Sequence, residues 1–151
     1  MDLRFELLTE QTLDYLWRNF RDIDRRECEA VGITEDNYRY YYLEMAPEPW
    51  IVALVDGVPV CMMGCWPIKH CVWFCLLGTE QMDRYWVRLT RNARSFIKNR
   101  LDDYLGCRGM VVILEEATQA RRWLEYLGFE QTGQPFWSGV GVKHLLYEFR
   151  R

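Results

Sequence analysis

Between residues 50 and 77 the chain holds three β-rich runs separated by turn residues, and this stretch limits the fold more than any other. Residues 50–55 and 58–66 flank Asp56-Gly57, a pair that favours a tight primed turn, so they predict a hairpin. A third strand over 71–77 follows a loop at 67–70. Both faces of these strands are apolar: Val60, Met62, Gly64, Val72, Phe74 and Leu76 oppose Cys61, Cys65, Cys71 and Cys75. A sheet of this kind must be covered on both sides.

Four of the six cysteines lie in these strands. A turn centred on Ile68 would set Cys65 opposite Cys71 and Cys61 opposite Cys75 on one face, ~4.5–5.5 Å apart and within reach of a disulfide or a shared metal. Zinc knuckles sit on turns, however, and residues i and i+4 of a strand are ~13 Å apart. The first residues, Met1-Asp2-Leu3-Arg4-Phe5-Glu6, alternate like a strand and show no secretory pattern. Packing as small buried hydrophobes is the expected role of the four, with a metal or redox sensor as the alternative.

The rest of the chain reads as helices and short strands. Residues 3–8 form a strand ending at Thr9, which can cap a helix over 10–20 with Leu13, Leu16, Trp17 and Phe20 on one stripe. A charged segment over 21–29 leads to a break at Gly32. Thr34 then caps a second helix over 36–45, whose tyrosines point all round it and which Pro47 and Pro49 terminate. A long helix runs from Glu80 to about residue 105, with Met82, Trp86, Leu89, Ala93, Phe96, Ile97 and Tyr104 on one stripe. Arg84, Arg88, Arg91, Arg94 and Lys98 form the opposite face, and Gly106 stops it. A short strand over 110–114, a helix over 117–127 stopped by Gly128, a strand from Phe129 and a last strand over 142–149 complete the order. This is one α+β domain spanning residues 1–151, a mixed sheet of six to seven strands with helices on both faces. No repeat or linker divides its 151 residues.

Composition removes several function classes. Half the residues are hydrophobic and 27% charged, too apolar for a disordered chain. The net charge of −3 gives no global sign of nucleic-acid or anionic-membrane binding, and no run nears the ~20 apolar residues of a membrane span. The expected setting is the cytosol or a larger assembly. With 15% aromatic residues, a sticky exposed patch is expected as well. The basic face of the long helix reads as a solvated surface, with docking of an acidic protein or nucleic acid as the alternative. His70 and His144 read as isolated surface or core groups.

The element order, with Ala120 and Gly128-Phe129 closing the last helix, resembles the GNAT acetyltransferases. A narrower resemblance is to GNAT-like proteins of short-tailed bacteriophages. It rests on residues 26–34, Trp50, Val55-Asp56-Gly57-Val58-Pro59-Val60, Gly64, Leu77-Gly78-Thr79, Arg122-Trp123-Leu124 and Leu127-Gly128-Phe129, and covers roughly residues 25–130. It implies a protein of the infected bacterial cytoplasm or the virion. Such a protein would act on a host or virion protein, in assembly or in host takeover, often without acetyl transfer.

The wider resemblance implies acetyl-CoA as cofactor, its pyrophosphate held on backbone N–H groups of a glycine-rich loop before the long helix. The corresponding residues are Leu76, Leu77, Gly78, Thr79, Arg84 and Arg88, with Ala120 on the later helix. The loop has a single glycine, and Glu80 and Asp83 occupy the first helical turn, where they satisfy the dipole and repel a diphosphate. The family's acid is often a Tyr four residues after the motif Ala; here that position is Leu124, and Tyr126 is about 200° round the helix from it. The central strands hold no carboxylate, which leaves Glu115 as the candidate base and Tyr126 as the candidate acid. Glu115 and Glu116 are also placed to favour the N-terminus of the helix that follows. The expected function is therefore protein contact on a GNAT fold with a degenerate acetyl-CoA site. The alternative is an active N-acyltransferase on a protein or small-molecule amine.

Overall fold

In the computed structural model, which describes residues 1–150, Asp56 and Gly57 both take positive φ (49° and 80°), as the two-residue turn requires. They join β2 (Ile51–Val55) to β3 (Val58–Ile68), and β4 (Cys71–Gly78) follows. β1 (Leu3–Leu7) pairs with β2. Beyond β4 lie β5 (Arg108–Leu114), β6 (Phe129–Trp137) and β7 (Lys143–Phe149). The seven-stranded sheet runs β1-β2-β3-β4-β5-β7-β6 and is antiparallel except at β4–β5. This is the mixed α+β sheet that the element order predicts.

Helices cover both faces. On one lie α1 (Glu10–Asn19) and α2 (Asp22–Ala30), packing Leu13, Leu16, Trp17 and Cys28 with Met62 and Leu77. On the other lie α3 (Trp86–Asp103) and α4 (Thr118–Leu127), packing Ala93, Ile97, Leu124 and Leu127 with Cys65, Phe74 and Val111. Thr9 caps α1 as expected, in a reciprocal box with Thr12. No helix is long and apolar enough to cross a membrane.

Four local expectations are corrected. The charged segment 21–29 is helical, because its buried side chains, Asp24 and Cys28, recur at a spacing of four and fix one face against the sheet. The helix expected over 36–45 is reduced to a turn and a single π-helical turn, Tyr40–Glu44. Its aromatics are unequal: Tyr40 is exposed, whereas Tyr42 is buried and Tyr38 stacks on Trp17 at 4.5 Å.

The long helix begins later than Glu80. Glu80–Arg84 winds as a 3₁₀ turn with Met82 bonded to Thr79 and Tyr85 to Met82, and the α-helix starts only at Trp86. Finally, the β3–β4 turn is Lys69-His70, with Lys69 at φ 55°, so Ile68 pairs with Cys71, Gly64 with Cys75 and Cys65 with Phe74. That three-residue difference in register, an odd number, puts Cys61 and Cys65 on the α3 face and Cys71 and Cys75 on the other. The four thiols therefore do not face one another.

Candidate functional site

β4 and β5 are paired only where Cys71–Trp73 meets Arg108–Met110. Beyond that point β5 continues on β7 and β4 on β3, so the sheet opens into a gap at the C-terminal ends of the two strands. Strand alternation turns the backbone groups of Phe74, Leu76 and Gly78 into this gap.

A cavity of about 350 Å³ lies on the α3–α4 side of the gap, walled by Phe74, Leu76, Ala93, Val111, Trp123 and Leu124 among others. Trp123 Nε1 donates to Thr90 Oγ1 at 2.7 Å, and Thr90 Oγ1 donates to the Trp86 carbonyl at 2.6 Å, which ties α4 to α3 above it. A second cavity of about 390 Å³ lies on the α1–α2 side, with walls that include Tyr41, Trp50, Trp66, Trp73 and His144. Glu27, Phe74, Cys75 and Val112 line both. The two spaces therefore abut through the sheet, with the Glu27 carboxyl at their shared wall.

α2 places two acids at this junction. Asp24 accepts the Gly78 N–H at 3.1 Å and is held by Arg21, whose Nε donates at 2.7 Å. Arg21 donates its own backbone N–H to the Gly78 carbonyl at 3.0 Å, and Phe20 forms a β-bridge with Thr79. The end of β4 is thus sealed from the gap side by the α1–α2 connection. One turn along α2, Glu27 faces the Leu114 backbone of β5. Burial, reinforced by the neighbouring Asp24 charge, pushes the Glu27 carboxyl up to about 8; the Leu114 backbone and Arg21 pull the other way. Burial also raises the Asp24 carboxyl, against the pull of Arg21 and the Gly78 N–H.

The residues expected at the site are divided by this geometry. Leu76, Ala120 and Tyr126 line the α3–α4 cavity, and Leu77 lines the α1–α2 cavity. Gly78 has both backbone groups engaged by Arg21 and Asp24. Thr79 gives its N–H and its hydroxyl to the Val60 carbonyl. Arg84 and Arg88 are exposed, outside both walls. Glu115 is exposed and paired with Lys143 at 2.5 Å, away from both cavities. Tyr126 is 60% exposed, edge-on to Trp86 and beneath the Arg94 guanidinium.

Glu27 and Asp24 escaped the sequence reading. Their signal was the spacing Arg21, Asp24, Glu27, Cys28, but a segment so rich in charge shows no apolar stripe to mark its inner face.

Two side chains occupy the loop where a diphosphate would lie. The Met82 sulfur sits 2.7 Å from where a Gly78 Cβ would stand, and Asp83 lies 3.6 Å from Arg21. The donors at the strand end are spent on the protein, and a carboxylate already neutralises the nearest buried cation. The backbone donors of Gly78 and Thr79 are therefore already engaged within the protein where a pyrophosphate would need them.

Among solved structures, the chain is similar to a GNAT-family acetyltransferase from Bacillus anthracis, with a TM-score of 0.74 at 11% identity over 99% of this chain and 95% of that one. It is also similar to a ribosomal-protein alanine N-acetyltransferase from Escherichia coli, with a TM-score of 0.69 at 10% identity over 98% and 93%. An N-acetyltransferase from Staphylococcus aureus gives 0.65 at 8% over 99% and 98%. The fold is therefore that of the GNAT acetyltransferases, and at these identities the likeness is one of fold. No protein-family model matches the sequence, and no curated protein is similar to it in sequence.

Proposed function

We propose that this chain uses the GNAT fold as a scaffold for contact with a host or virion protein of a bacteriophage, in assembly or in control of a host factor, with acetyl transfer lost. The cytoplasm of the infected cell, or the virion, is the setting this reading requires. The observation that supports it best is the sealed end of β4, where Arg21 and Asp24 take both backbone groups of Gly78.

The contact surface in this reading is the outer face of α3. From Arg84 to Leu101 the sequence has six cations and no acid, in a chain of net charge −3. Arg84, Arg88, Arg91 and Lys98 are exposed and belong to none of the ion pairs among the described residues. Trp86 and Tyr126, 47% and 60% exposed, stand beside them. Unneutralised like charges beside exposed aromatics suit an acidic protein surface.

Calorimetric titration of the reduced protein with acetyl-CoA and with free CoA tests the loss of cofactor. No binding at millimolar ligand is expected, and micromolar binding would overturn it. The charge reversal Arg88→Glu/Arg91→Glu tests the surface: capture of a partner should be lost while the melting temperature stays unchanged.

A second reading, an N-acyltransferase on a protein or small-molecule amine, is favoured by the meeting of two cavities at Glu27. In it, Glu27 takes the place expected of Glu115 and accepts a proton from an amine. Mass spectrometry after incubation with labelled acetyl-CoA and a peptide library would reveal it.

A further inference from the structure

The two edges of the sheet are unlike. β6, at one end of the strand order, is interrupted: its register with β7 shifts between Thr132 and Phe136, where Gly133 takes a φ of 66° and Pro135 lacks an N–H. Bulges and prolines of this kind keep an edge from pairing with another strand. β1, at the other end, has neither. It pairs with β2 in unbroken register, and no strand lies on its other side. The Asp56 N–H donates to the Asp2 carbonyl at 2.8 Å and the Leu8 N–H to the Trp50 carbonyl at 2.9 Å, so the even positions face β2. The N–H and C=O groups of Leu3, Phe5 and Leu7 therefore point outward along a free edge.

The side chains of that edge are self-complementary. Arg4 and Glu6 stand one on each side of Phe5, and both are exposed. Arg4 meets Asp2 at 2.8 Å with both side chains more than half exposed. Glu6 belongs to none of the ion pairs among the described residues. Leu3 and Phe5 pack against Ala53, Val55 and Leu89, whereas Leu7, next along the same face, is 65% exposed. Like charges along an edge turn a second copy away, but opposite charges placed symmetrically about one residue offer it a match.

We propose that β1 pairs antiparallel with β1 of a second copy of this chain, about a two-fold axis at Phe5, so that the two sheets become one. In that register Phe5 lies opposite Phe5 of the second copy, Leu3 opposite its Leu7, and Arg4 opposite its Glu6. The outward backbone groups of Leu3, Phe5 and Leu7 form the hydrogen-bonded pairs, ~5.5 Å apart between Cα atoms. Arg4 and Glu6 fall in the non-hydrogen-bonded pairs, ~4.5 Å apart, where side chains come closest. Two ion pairs form, and each exposed Leu7 is covered by Leu3 of the other copy. No residue of β1 lines either cavity, so the association is independent of both readings above. One short strand a side falls well below the about 20–30 residues of a standard interface, so the dimer exchanges with monomer in the micromolar range.

The test is sedimentation equilibrium of the full, reduced chain from low micromolar to near-millimolar concentration, where a reversible monomer–dimer equilibrium is expected. The charge reversals Arg4→Glu and Glu6→Arg should each weaken the dimer about tenfold or more, because like charges then meet at both crossings. An equimolar mixture of the two variants sets opposite charges face to face again and should regain the original association. The swap Arg4→Glu/Glu6→Arg within one chain should regain it as well. Both positions are exposed, so the melting temperature should not move. If a reversal fails to fold, Leu7→Pro, which removes only an outward N–H, should weaken the dimer in its place. A monomer at every concentration would overturn the proposal and leave the edge to a strand of a different protein. A dimer that survives both reversals, or a loss that neither the mixture nor the swap repairs, would overturn it too.

Discussion

Asp24 and Glu27, one turn apart on α2, reach the two strands that part: Asp24 is bonded by the Gly78 N–H of β4, and Glu27 faces the Leu114 backbone of β5. A single helix thus sets one carboxyl at each side of the gap. Arg21 is the buried guanidinium that neutralises one of them.

The first consequence is a pH dependence. In the folded protein Glu27 titrates at about 8, against a carboxyl of ordinary value in the unfolded chain. The folded state therefore binds the extra proton between about pH 4.5 and 8, and stability falls as pH rises through that window. One such group contributes a slope of ~1.4 kcal/mol per pH unit at most. Denaturation curves from pH 5 to 9 should show this decline, and Glu27→Gln should flatten it and gain most at the alkaline end. An unchanged slope in the variant would contradict the placement of Glu27.

Arg21 and Asp24 form a buried pair. Replacing Arg21 by Leu leaves a carboxylate buried beside Gly78 without its partner, and should cost ~3–5 kcal/mol. The double replacement Arg21→Leu/Asp24→Leu should recover part of that loss, because no uncompensated charge remains. Urea denaturation of both single variants and the double one gives the coupling.

Gly64 is fixed by a close approach. A Cβ there would stand 2.3 Å from the Trp50 ring, which is itself 3% exposed and has no room to move outward. Gly64→Ala should cost ~1–3 kcal/mol by overpacking. The same change in a Trp50→Leu background should cost far less, and a thermodynamic cycle of the four proteins measures the difference.

The thiols should separate into two classes. Burial pushes Cys28 and Cys61 up to about 12 and Cys65 to about 11, and raises Cys75 as well. Cys75 is partly exposed into the two cavities, where burial holds its thiol protonated, whereas Cys71 and Cys107 are partly exposed outside them. A thiol reagent at pH 8 should modify these two rapidly in native protein and the other four only on unfolding. Mass mapping after brief labelling checks the assignment.

Residues 50–78 show how much of the fold can be read directly. Asp56-Gly57 permits only a tight turn, and strands apolar on both faces require helices on both sides. The period of the side chains therefore predicted β2, β3, β4 and their burial. The same stretch shows the limit. Turns centred on Ile68 or on Lys69-His70 are both consistent with the alternation, yet they send the cysteines to different faces. The start of α3 was misplaced for a related reason. Glu80 and Asp83 read as ordinary first-turn acids, while Asp83 turns toward Arg21, sixty-two positions earlier in the chain.

The amino-acid sequence by itself determined the element order, the two-sided core and the poverty of the loop before α3 in glycine, because these follow from local period and residue type. The tertiary structure alone decided the functional chemistry. Glu27 is one acid in a charged run until β4 and β5 separate beneath it. Only then is its carboxyl desolvated, turned to the Leu114 backbone and set at the wall between two cavities. Desolvation depends on what the rest of the chain packs around a group, and no local pattern records it.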